Sequence, residues 1–341
     1  MMHHAPSARM RCAVIGAGAW GTAIADRLAR NGHAVRLWAR EDDVVASVNS
    51  THINDHFLSG VALTPSLLAT SDMAQALENA VLVVYAAPSH VLRAVVRAGA
   101  AHIAPSAVLA IATKGIERDT LALMTDVVSE ELPSHATVAL SGPSFAAEVA
   151  AQQPTAIVAA SAVPSAAAFL QLAASAPTLR LYTTDDVVGV ELGGAIKNVM
   201  AVATGIVEGL GLGFNPRAAL ITRGLAEMTR LGVALGAHPE TFAGLAGLGD
   251  LVLTCTGSLS RNRAVGVAIG EGQTLEEALA GKDTVAEGVL NAQSTLALAQ
   301  RAGVEMPIVE ATHRILFDGQ PPVEAIMELM ARELRAERDV A

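Results

Sequence analysis

The chain has 341 residues, of which 52% are hydrophobic and 16% charged, which predicts about two domains and excludes a largely disordered protein. Its formal net charge of −10 argues against a nucleic-acid-binding surface, since such a surface needs a basic stripe to neutralise phosphates. The same charge leaves small anionic ligands open, because a few local lysines and arginines can form a positive pocket on an acidic protein.

In chain order, residues 1–10 come first and lack the apolar run of a secretory signal, so we expect a flexible extension there. Short apolar runs then alternate with helical segments. The predicted strands are Arg11–Ile15, Ala34–Trp38, Val81–Ala86, Ala107–Ala112, Thr137–Leu140, Thr155–Ala160 and Leu179–Tyr182. The predicted helices between them are Trp20–Asn31, Ser89–Ala101 and Thr120–Glu131. This alternation is typical of an α/β fold with a doubly wound, mostly parallel sheet that helices cover on both faces.

The pattern changes near residue 185, beyond which the sequence predicts only helical segments separated by glycine. These helices are predicted at Asp186–Leu210, Pro216–Leu235, Leu275–Leu279, Ala286–Ala302 and Pro322–Arg338. We therefore expect an α/β domain over residues 11–187 and an all-helical C-terminal domain over residues 188–341.

The cysteines and the apolar segments restrict the setting of the protein. Cys12 and Cys255 are far apart in sequence, and this pattern supports neither a disulfide scaffold nor a metal site. Two unpaired thiols fit a reducing cytoplasm. Glutamine and proline interrupt the apolar stretches, as in Val149–Leu181, so we expect no membrane insertion.

A glycine-rich turn, GAGAWG, begins at Gly16, directly after the first predicted strand and before a predicted helix. In this context Gly16 permits the tight turn, Gly18 lets the backbone approach a pyrophosphate, and Gly21 allows the helix to pack closely on the strand. The helix N-terminus offers further N–H groups to phosphate. Trp20 lies within the turn, where it either covers a cofactor or serves as a core aromatic. The segment predicts dinucleotide binding.

The end of the second predicted strand bears on the choice of dinucleotide. A site specific for NAD usually has an acidic residue there, which binds the ribose 2′-hydroxyl. Here the strand is followed by Arg40, with Glu41 and Asp42 beyond it. Because arginine pairs with a 2′-phosphate, we expect NADP to be used well, alongside NAD. The alternative is that Arg40 is a solvated residue at a strand end.

Two later segments follow predicted strands at the edge where open α/β sheets bind ligands. Lys114 comes after the fourth strand and is a candidate ligand-binding cation, although surface lysines are common. Gly142 and Ser144 follow the fifth strand and suit close approach to a phosphate or hydroxyl. Ser144 is also a candidate N-cap for a following helix.

Lys197 lies in an apolar helical segment, with Gly193, Gly194 and Ala201 on the same predicted helix face. This face carries almost no side chains, so we expect room for a ligand beside the lysine. A lysine in a partly dry pocket has a lowered pKa, which suits proton transfer. A structural lysine that extends to solvent is the alternative.

The last candidates lie further along the helical half. Asp250 is flanked by glycine and is expected to orient Lys197 or accept a substrate hydroxyl. Ser260, Arg261 and Asn262 together supply donors for an oxyanion, although each residue taken alone is better explained by a helix cap beside solvated charges. Glu287 is a weaker candidate for contact with the nicotinamide ribose or amide.

Placed in order, these segments resemble the bacterial type of NAD(P)-dependent glycerol-3-phosphate dehydrogenase over residues 11–320. The matching segments are GAGAWGTAIA from residue 16, ATKGIE from 112, SGPSFAAE from 141, ELGGAIKNVMA from 191, ALITRGLAEM from 219, AGLGDLVLTCTGSLSRNR from 246 and TVAEG from 284. The segment Phe57–Gly60 departs from the family's usual aromatic-Leu-Pro pattern. It affects no candidate catalytic residue.

The resemblance implies a Rossmann-type domain, an all-helical C-terminal domain and a homodimer. It implies reversible hydride transfer between dihydroxyacetone phosphate and sn-glycerol 3-phosphate for phospholipid synthesis, with Lys197 as proton donor and acceptor. The implied substrate-binding residues are Lys114, Gly142, Ser144, Lys197, Asp250, Ser260, Arg261 and Asn262. The implied cofactor-binding residues, besides the three motif glycines, are Ala19, Trp20, Arg40, Lys114, Ala146, Arg261, Val285 and Glu287.

Two other hypotheses fit the same sequence. A β-hydroxyacid or ketopantoate-type reductase also combines a Rossmann domain, a helical domain and a lysine, but needs a carboxylate site in place of a phosphate site. A non-catalytic dinucleotide-binding regulator would bind NADPH without turnover and would leave Lys197 unexplained.

Overall fold

A computed structural model describes residues 9–281, 286–334 and 336–337. Its strands are β1 Arg11–Ile15, β2 Ala34–Trp38, β3 Leu68–Thr70, β4 Leu82–Tyr85, β5 Val108–Ile111, β6 Thr137–Ser141, β7 Thr155–Ala160 and β8 Leu179–Thr184. They form one sheet in the order β3-β2-β1-β4-β5-β6-β7-β8. The first six are parallel, β7 is antiparallel to β6, and β8 is parallel to β7. The expected mostly parallel sheet is confirmed.

Helices cover both faces of this sheet. They are α1 Ala19–Arg30, α2 Asp42–Thr51, α3 Met73–Leu77, α4 Leu92–Gly99, α5 Met124–Glu131, α6 Ala146–Ala150 and α7 Pro164–Ala174, with 3₁₀ turns at Ser89–Val91 and Ala100–His102. Helices α1, α2 and α7 bury their apolar side chains on one face. Helices α3, α4 and α5 do so on the other. Because the strands are apolar on both sides, helices must pack on both faces of the sheet.

The second half is helical throughout its described residues. Its helices are α8 Val187–Gly209, α9 Phe214–Ala234, α10 Pro239–Ala243, α11 Asp250–Thr256, α12 Arg261–Gly270, α13 Leu275–Leu279, α14 Glu287–Ala302, α15 Pro307–Phe317 and α16 Pro322–Met330, with a π-helical turn at Leu245–Gly249. Helix α8 lies at the centre, in contact with α9, α11, α12, α14 and α15. A division after residue 187 stays a proposal, supported by the end of β8 at Thr184.

Helix α8 is an exception to the interrupted apolar stretches on which the expectation of no membrane insertion was based. Residues Val187–Gly209 are long and apolar enough to cross a membrane, but the apolar window is fully buried inside the structure. A helix that is apolar all round is typical of the core of a large domain. Close packing explains this composition, since Gly205 and Gly266 face each other where α8 crosses α12.

Several predicted elements differ from those observed. The short strand Leu68–Thr70 was not predicted, because three residues carry too little periodicity. The last helix ends at Met330, eight residues before its predicted end, and Leu334 beyond it is fully exposed and has no core to pack against. The predicted helix Thr120–Glu131 begins only at Met124, since Leu121 has a positive φ of 60° that a helix does not accommodate.

Candidate active site

The glycine-rich turn connects β1 to α1 in the way the motif predicts. Gly16 has a φ of +113°, and a Cβ there would lie 2.9 Å from the backbone of Ala86. A Cβ on Gly21 would overlap the carbonyl of Gly16, which explains the close approach of α1 to the strand. By contrast, the space beside Gly18, the N-cap of α1, is open. The turn therefore leaves room for a phosphate at the helix N-terminus.

Asn54 secures this turn, and the sequence analysis missed it. Its side chain is completely buried, and Nδ2 donates to the carbonyl of Ala17 and to Oγ1 of Thr22, both at 2.8 Å. Its Oδ1 accepts from the backbone N–H of Phe57 at 3.1 Å. The local bond to Phe57 does not reveal this role, because the two bonds that hold the turn join residues more than 30 positions apart in the chain.

Three of the expected cofactor-binding residues meet between α1 and α6. Ala19, Trp20 and Ala146 are half-buried and pack on one small apolar cluster that includes Leu58. The indole N–H of Trp20 has no hydrogen-bond partner among the described residues. Trp20 is thus partly a core aromatic, and it also has an unused donor beside the glycine turn.

Arg40 lies just beyond the carboxyl end of β2, where the adenosine ribose of a dinucleotide is expected. Its side chain is 82% exposed and forms an ion pair with Glu41 at 2.8 Å. An exposed guanidinium at this position is able to reach a 2′-phosphate. The carboxylate of Glu41 would compete with such a phosphate for the guanidinium of Arg40.

Lys197, Asp250 and Lys114 form the centre of the site. Asp250 is completely buried at the start of α11, directly after the π-helical turn. One carboxylate oxygen accepts from Nζ of Lys197 in α8, and the other accepts from Nζ of Lys114 at 2.8 Å. Lys114 follows β5 at the carboxyl edge of the sheet. Two ammonium groups, one from each half of the chain, therefore converge on one buried carboxylate.

Burial and mutual charge set the protonation of this cluster. Burial lowers the pKa of Lys197 to about 7, with Asp250 acting to raise it and Lys114 acting to lower it further. Burial alone would raise the pKa of Asp250, but the charges and hydrogen bonds of Lys114 and Lys197 outweigh it and hold that pKa below its usual value. Asp250 is therefore ionised, and Lys197 is poised to exchange a proton near neutral pH.

The space beside Gly193 and Gly194, which we expected to be open to a ligand next to Lys197, is occupied by the protein itself. A Cβ on Gly193 would lie 2.3 Å from the carbonyl of Ala246, and one on Gly194 would lie 2.7 Å from Oγ of Ser141. The space beside the two glycines is therefore filled by Ala246 and Ser141 and is not open to a ligand. The role of the glycines is to bring the π-helical turn and the end of β6 against α8.

Gly142 and Ser144 lie where the sequence placed them, just after β6. Gly142 has a φ of +131°, and a Cβ there would collide with Ile157 of β7. Its carbonyl oxygen is 3.5 Å from Nζ of Lys114 and accepts from Oγ of Ser144 at 2.9 Å. Ser144 does not cap α6, whose N-cap is Phe145 without a side-chain hydrogen bond. Gly142 therefore borders the lysine cluster.

Ser260, Arg261 and Asn262 form the first turn of α12. Ser260 is buried and is the N-cap, since its Oγ accepts from the N–H of Arg263. The side chain of Asn262 connects three helices, because it donates to Oδ1 of Asn198 and accepts from the N–H of Gly288, both at 2.9 Å. Arg261 is exposed at the helix N-terminus. Both expected roles, cap and anion donor, are compatible with this turn.

Glu287, the first residue of α14, joins the two halves of the chain. Its two carboxylate oxygens accept from the backbone N–H and the hydroxyl of Ser89, at 3.0 and 2.6 Å. Burial raises its pKa, partly offset by the hydrogen bonds from Ser89. Ser89 follows β4 at the same sheet edge as Lys114. Val285, the other residue expected in this segment, lies outside the described residues.

Two unpaired polar atoms near the lysine cluster were also missed. Oγ of Ser141 and Oδ1 of Asn291 are buried without a hydrogen-bond partner in the part of the chain that the structure describes. Ser141 lines a water-sized cavity of about 10 Å³ beside Lys114. Within the same described ranges, no group of three or more His, Cys, Asp or Glu side chains is arranged to hold a metal ion.

These features fit a nicotinamide dinucleotide. The glycine turn provides a cradle for a pyrophosphate, and Trp20 offers an unpaired donor beside it. The strand order, with the break between β1 and β4, places this cradle at the topological switch point. A buried lysine with a pKa near neutrality lies at the same edge. The fold and site together define the class of nicotinamide-dependent dehydrogenases.

Comparison with known proteins identifies the family. Residues 11–167 match the model of the N-terminal domain of NAD-dependent glycerol-3-phosphate dehydrogenase, and residues 186–327 match that of its C-terminal domain. The chain belongs to this family.

Full-length relatives agree with this assignment. The glycerol-3-phosphate dehydrogenase [NAD(P)+] of Geobacter sulfurreducens is 53% identical over 96% of this chain and 99% of its own. A crystal structure of glycerol-3-phosphate dehydrogenase from Coxiella burnetii is 42% identical, covers 95% of this chain and 99% of its own, and has a TM-score of 0.91. The crystal structure of a ketopantoate reductase from Ralstonia eutropha is 18% identical, covers 93% of this chain and 100% of its own, and has a TM-score of 0.62. At this identity, the likeness shows a shared fold and nothing more.

Proposed function

We propose that the protein catalyses the reversible, NAD(P)-dependent interconversion of dihydroxyacetone phosphate and sn-glycerol 3-phosphate. The observation that carries this proposal is the pair of ammonium groups, Lys197 and Lys114, held on the buried carboxylate of Asp250 at the ligand-binding edge of the sheet. This arrangement suits a reaction in which negative charge develops on a carbonyl oxygen and is neutralised by a proton.

Lys197 is the proposed acid and base. As an ammonium it donates a proton to the oxygen of C2 during ketone reduction, and as an amine it takes that proton back during alcohol oxidation. Lys114 adds a fixed positive charge near the same oxygen. Asp250 holds both lysines in position and keeps enough charge beside Lys197 to limit the fall of its pKa.

The phosphate of the substrate is assigned to the first turn of α12. Arg261 is exposed there and is able to bind a phosphate in bidentate fashion at the positive end of the helix dipole. Ser260 keeps a hydroxyl hydrogen free, since its oxygen serves as the cap. Asn262 has a second amide hydrogen beyond the one it gives to Asn198. Gly142 and Ser144 border the opposite side.

The cofactor is assigned to the glycine turn and the neighbouring sheet edge. Gly16, Gly18 and Gly21 shape the pyrophosphate cradle, and Arg40 lies where the adenosine ribose is expected. The other proposed contacts are Ala19, Trp20, Lys114, Ala146, Arg261, Val285 and Glu287. When bound, the nicotinamide supplies or accepts the hydride at C2 of the substrate.

The wider setting of the enzyme is also a proposal. The product would serve as the backbone precursor of phospholipids, and the two buried free thiols fit work in the cytoplasm. A homodimer is supported by the exposed start of α9, where Phe214 is 82% exposed and Leu212 is 38% exposed.

A panel of ketones tests this function against its main alternative. Oxidation of NADPH and of NADH is followed with dihydroxyacetone phosphate, dihydroxyacetone, ketopantoate and a β-keto acid. We expect turnover with dihydroxyacetone phosphate and a kcat/KM at least about a hundredfold lower without the phosphate, because Arg261 would lose a charged partner. A preference for a carboxylated ketone would assign the protein to the reductases instead. NADPH binding without any turnover would indicate a regulator.

A further inference from the structure

The ion pair between Arg40 and Glu41 lies at the point that distinguishes NADPH from NADH. Arg40 donates from Nε and Nη2 to one oxygen, Oε1, of Glu41 at 3.0 and 2.8 Å. The face of the guanidinium that suits a 2′-phosphate is therefore directed at a carboxylate of the same chain. The second oxygen of Glu41, Oε2, has no hydrogen-bond partner among the described residues.

The surrounding turn is acidic. Residues 39–43 after β2 and residues 71–73 after β3 contain one cation, Arg40, and four carboxylates, Glu41, Asp42, Asp43 and Asp72. Such an excess of negative charge opposes a dianionic 2′-phosphate. It does not oppose an uncharged ribose, whose 2′-hydroxyl donates readily to a carboxylate.

We propose that Glu41 is a specificity-determining residue that restrains the preference for NADPH and permits the use of NADH. With NADH, Arg40 stays on Oε1 of Glu41, and Oε2 accepts a hydrogen bond from the ribose 2′-hydroxyl. With NADPH, Arg40 leaves Glu41 and pairs with the 2′-phosphate. The exchange costs little, because the guanidinium of Arg40 is 82% exposed, and solvent screens its pair with the 26% exposed Glu41. This inference rests on the proposed dehydrogenase function.

Glu41 is well suited to substitution. It is the N-cap residue of α2, but its side chain makes no capping hydrogen bond, so its replacement leaves the helix start intact. Glu41→Gln removes the charge and keeps an acceptor oxygen. Glu41→Ala removes both. The pair of variants therefore separates repulsion of the 2′-phosphate from acceptance of the 2′-hydroxyl.

The experiment measures dissociation constants of NADPH and NADH by titration of nicotinamide fluorescence, without turnover. We expect both variants to bind NADPH about fivefold more tightly, and this gain to shrink in 0.5 M salt. Glu41→Gln should keep NADH affinity within about twofold, whereas Glu41→Ala should weaken NADH about fivefold. In an Arg40→Gln background, the NADPH gain should shrink to the part that comes from direct repulsion between Glu41 and the 2′-phosphate, since no guanidinium remains to be released.

Asp43→Asn is the matched control, because it removes the same charge from a carboxylate that faces His56 at 3.8 Å and not Arg40. Its NADPH-to-NADH affinity ratio should stay within about twofold of wild type. An unchanged ratio in both Glu41 variants, or an equal shift in Asp43→Asn, would overturn the proposal. Because the readout is binding, an enzyme that fails to turn over dihydroxyacetone phosphate would refute the proposed function and leave this test intact.

Discussion

Burial and the carboxylate of Asp250 change the pKa of Lys197 in opposite directions. Burial favours the neutral amine, the carboxylate of Asp250 favours the ammonium, and the balance gives a pKa of about 7. A free lysine would be almost fully protonated at neutral pH and would be a poor base. The protein thus makes both forms of one side chain available, which a reversible oxidation and reduction requires.

This balance predicts opposite pH profiles for the two directions of the reaction. Ketone reduction needs the ammonium, so its kcat/KM should fall as pH rises through about 7. Alcohol oxidation needs the amine, so its kcat/KM should fall as pH drops through the same region. Initial rates from pH 5.5 to 9 in both directions measure this. Lys197→Arg, which stays protonated, should lose the inflection. Inflections of the same sign in both directions would contradict the assignment.

At the scale of elements, Asn54 fixes the glycine turn to the α2–β3 connection. Asn54→Ala should leave Oγ1 of Thr22 and the N–H of Phe57 without their Asn54 partner, and the carbonyl of Ala17 with the Thr22 hydroxyl as its one donor in place of two, at a cost of roughly 1–3 kcal/mol of stability. It should also weaken cofactor binding several-fold, because the turn loses its support. Thermal unfolding and NADH titration measure the two effects.

The matched control for that prediction is Asn49→Ala. Asn49 is exposed but also makes two side-chain hydrogen bonds to backbone, at 2.9 and 2.8 Å to Ala69, and it joins α2 to β3 away from the glycine turn. It should lower the unfolding temperature by a similar amount and change NADH affinity little. Equal losses of affinity in both variants would show that Asn54 has no special role at the turn.

Gly193 sets the distance between α8 and the π-helical turn that precedes Asp250. Gly193→Ala would place a Cβ 2.3 Å from the carbonyl of Ala246, so that turn must move. Since Asp250 follows the turn, we expect kcat to fall at least about tenfold as Asp250 shifts from Lys197. Gly213→Ala, which meets no atom within 4 Å, is the control and should retain normal rates. A Gly193→Ala enzyme with normal kcat would show that the spacing set by Gly193 does not affect catalysis.

The elements also show where prediction from sequence reached its limit. Strands with four or more continuous apolar residues, and long helices such as α8, are predicted by their periodicity. The five-residue helices α3, α6 and α10 and the π-helical turn were not predicted, because so few residues carry little periodic signal, although α13, of the same length, was predicted at Leu275–Leu279. Lys114, Lys197 and Asp250 were found because each follows a strand or lies beside glycine. Asn54 and Ser89 were missed because their partners are distant in sequence.

At the scale of the whole molecule, the active site lies between two halves that buried hydrogen bonds hold together. Besides Glu287 and Ser89, Glu191 of α8 accepts from the N–H of Thr125 in α5 at 2.9 Å and from its hydroxyl. Burial raises the pKa of Glu191 to about 7, against the hydrogen bonds from Thr125, which lower it. The junction between the halves is therefore sensitive to pH.

The sign of this effect follows from linkage. Glu191 binds its proton more tightly in the folded chain than in the unfolded chain, where its pKa is near 4.5, so its contribution to stability falls as pH rises from about 4.5 to 7. The contribution lost is roughly 3 kcal/mol. The unfolding temperature of wild type minus that of Glu191→Gln should therefore decrease between pH 5 and pH 8. The exposed Glu240→Gln should show no such trend, and a flat difference for Glu191→Gln would refute the prediction.

The most direct test is the rate of NADPH oxidation by dihydroxyacetone phosphate at pH 7, in wild type and in Lys197→Met. We expect turnover by the wild type and a kcat lower by about 10²–10⁴ in the variant, with cofactor affinity and unfolding temperature preserved. Near-normal turnover by a folded Lys197→Met enzyme would contradict the role of Lys197 as acid and base, since proton transfer would then belong to another group.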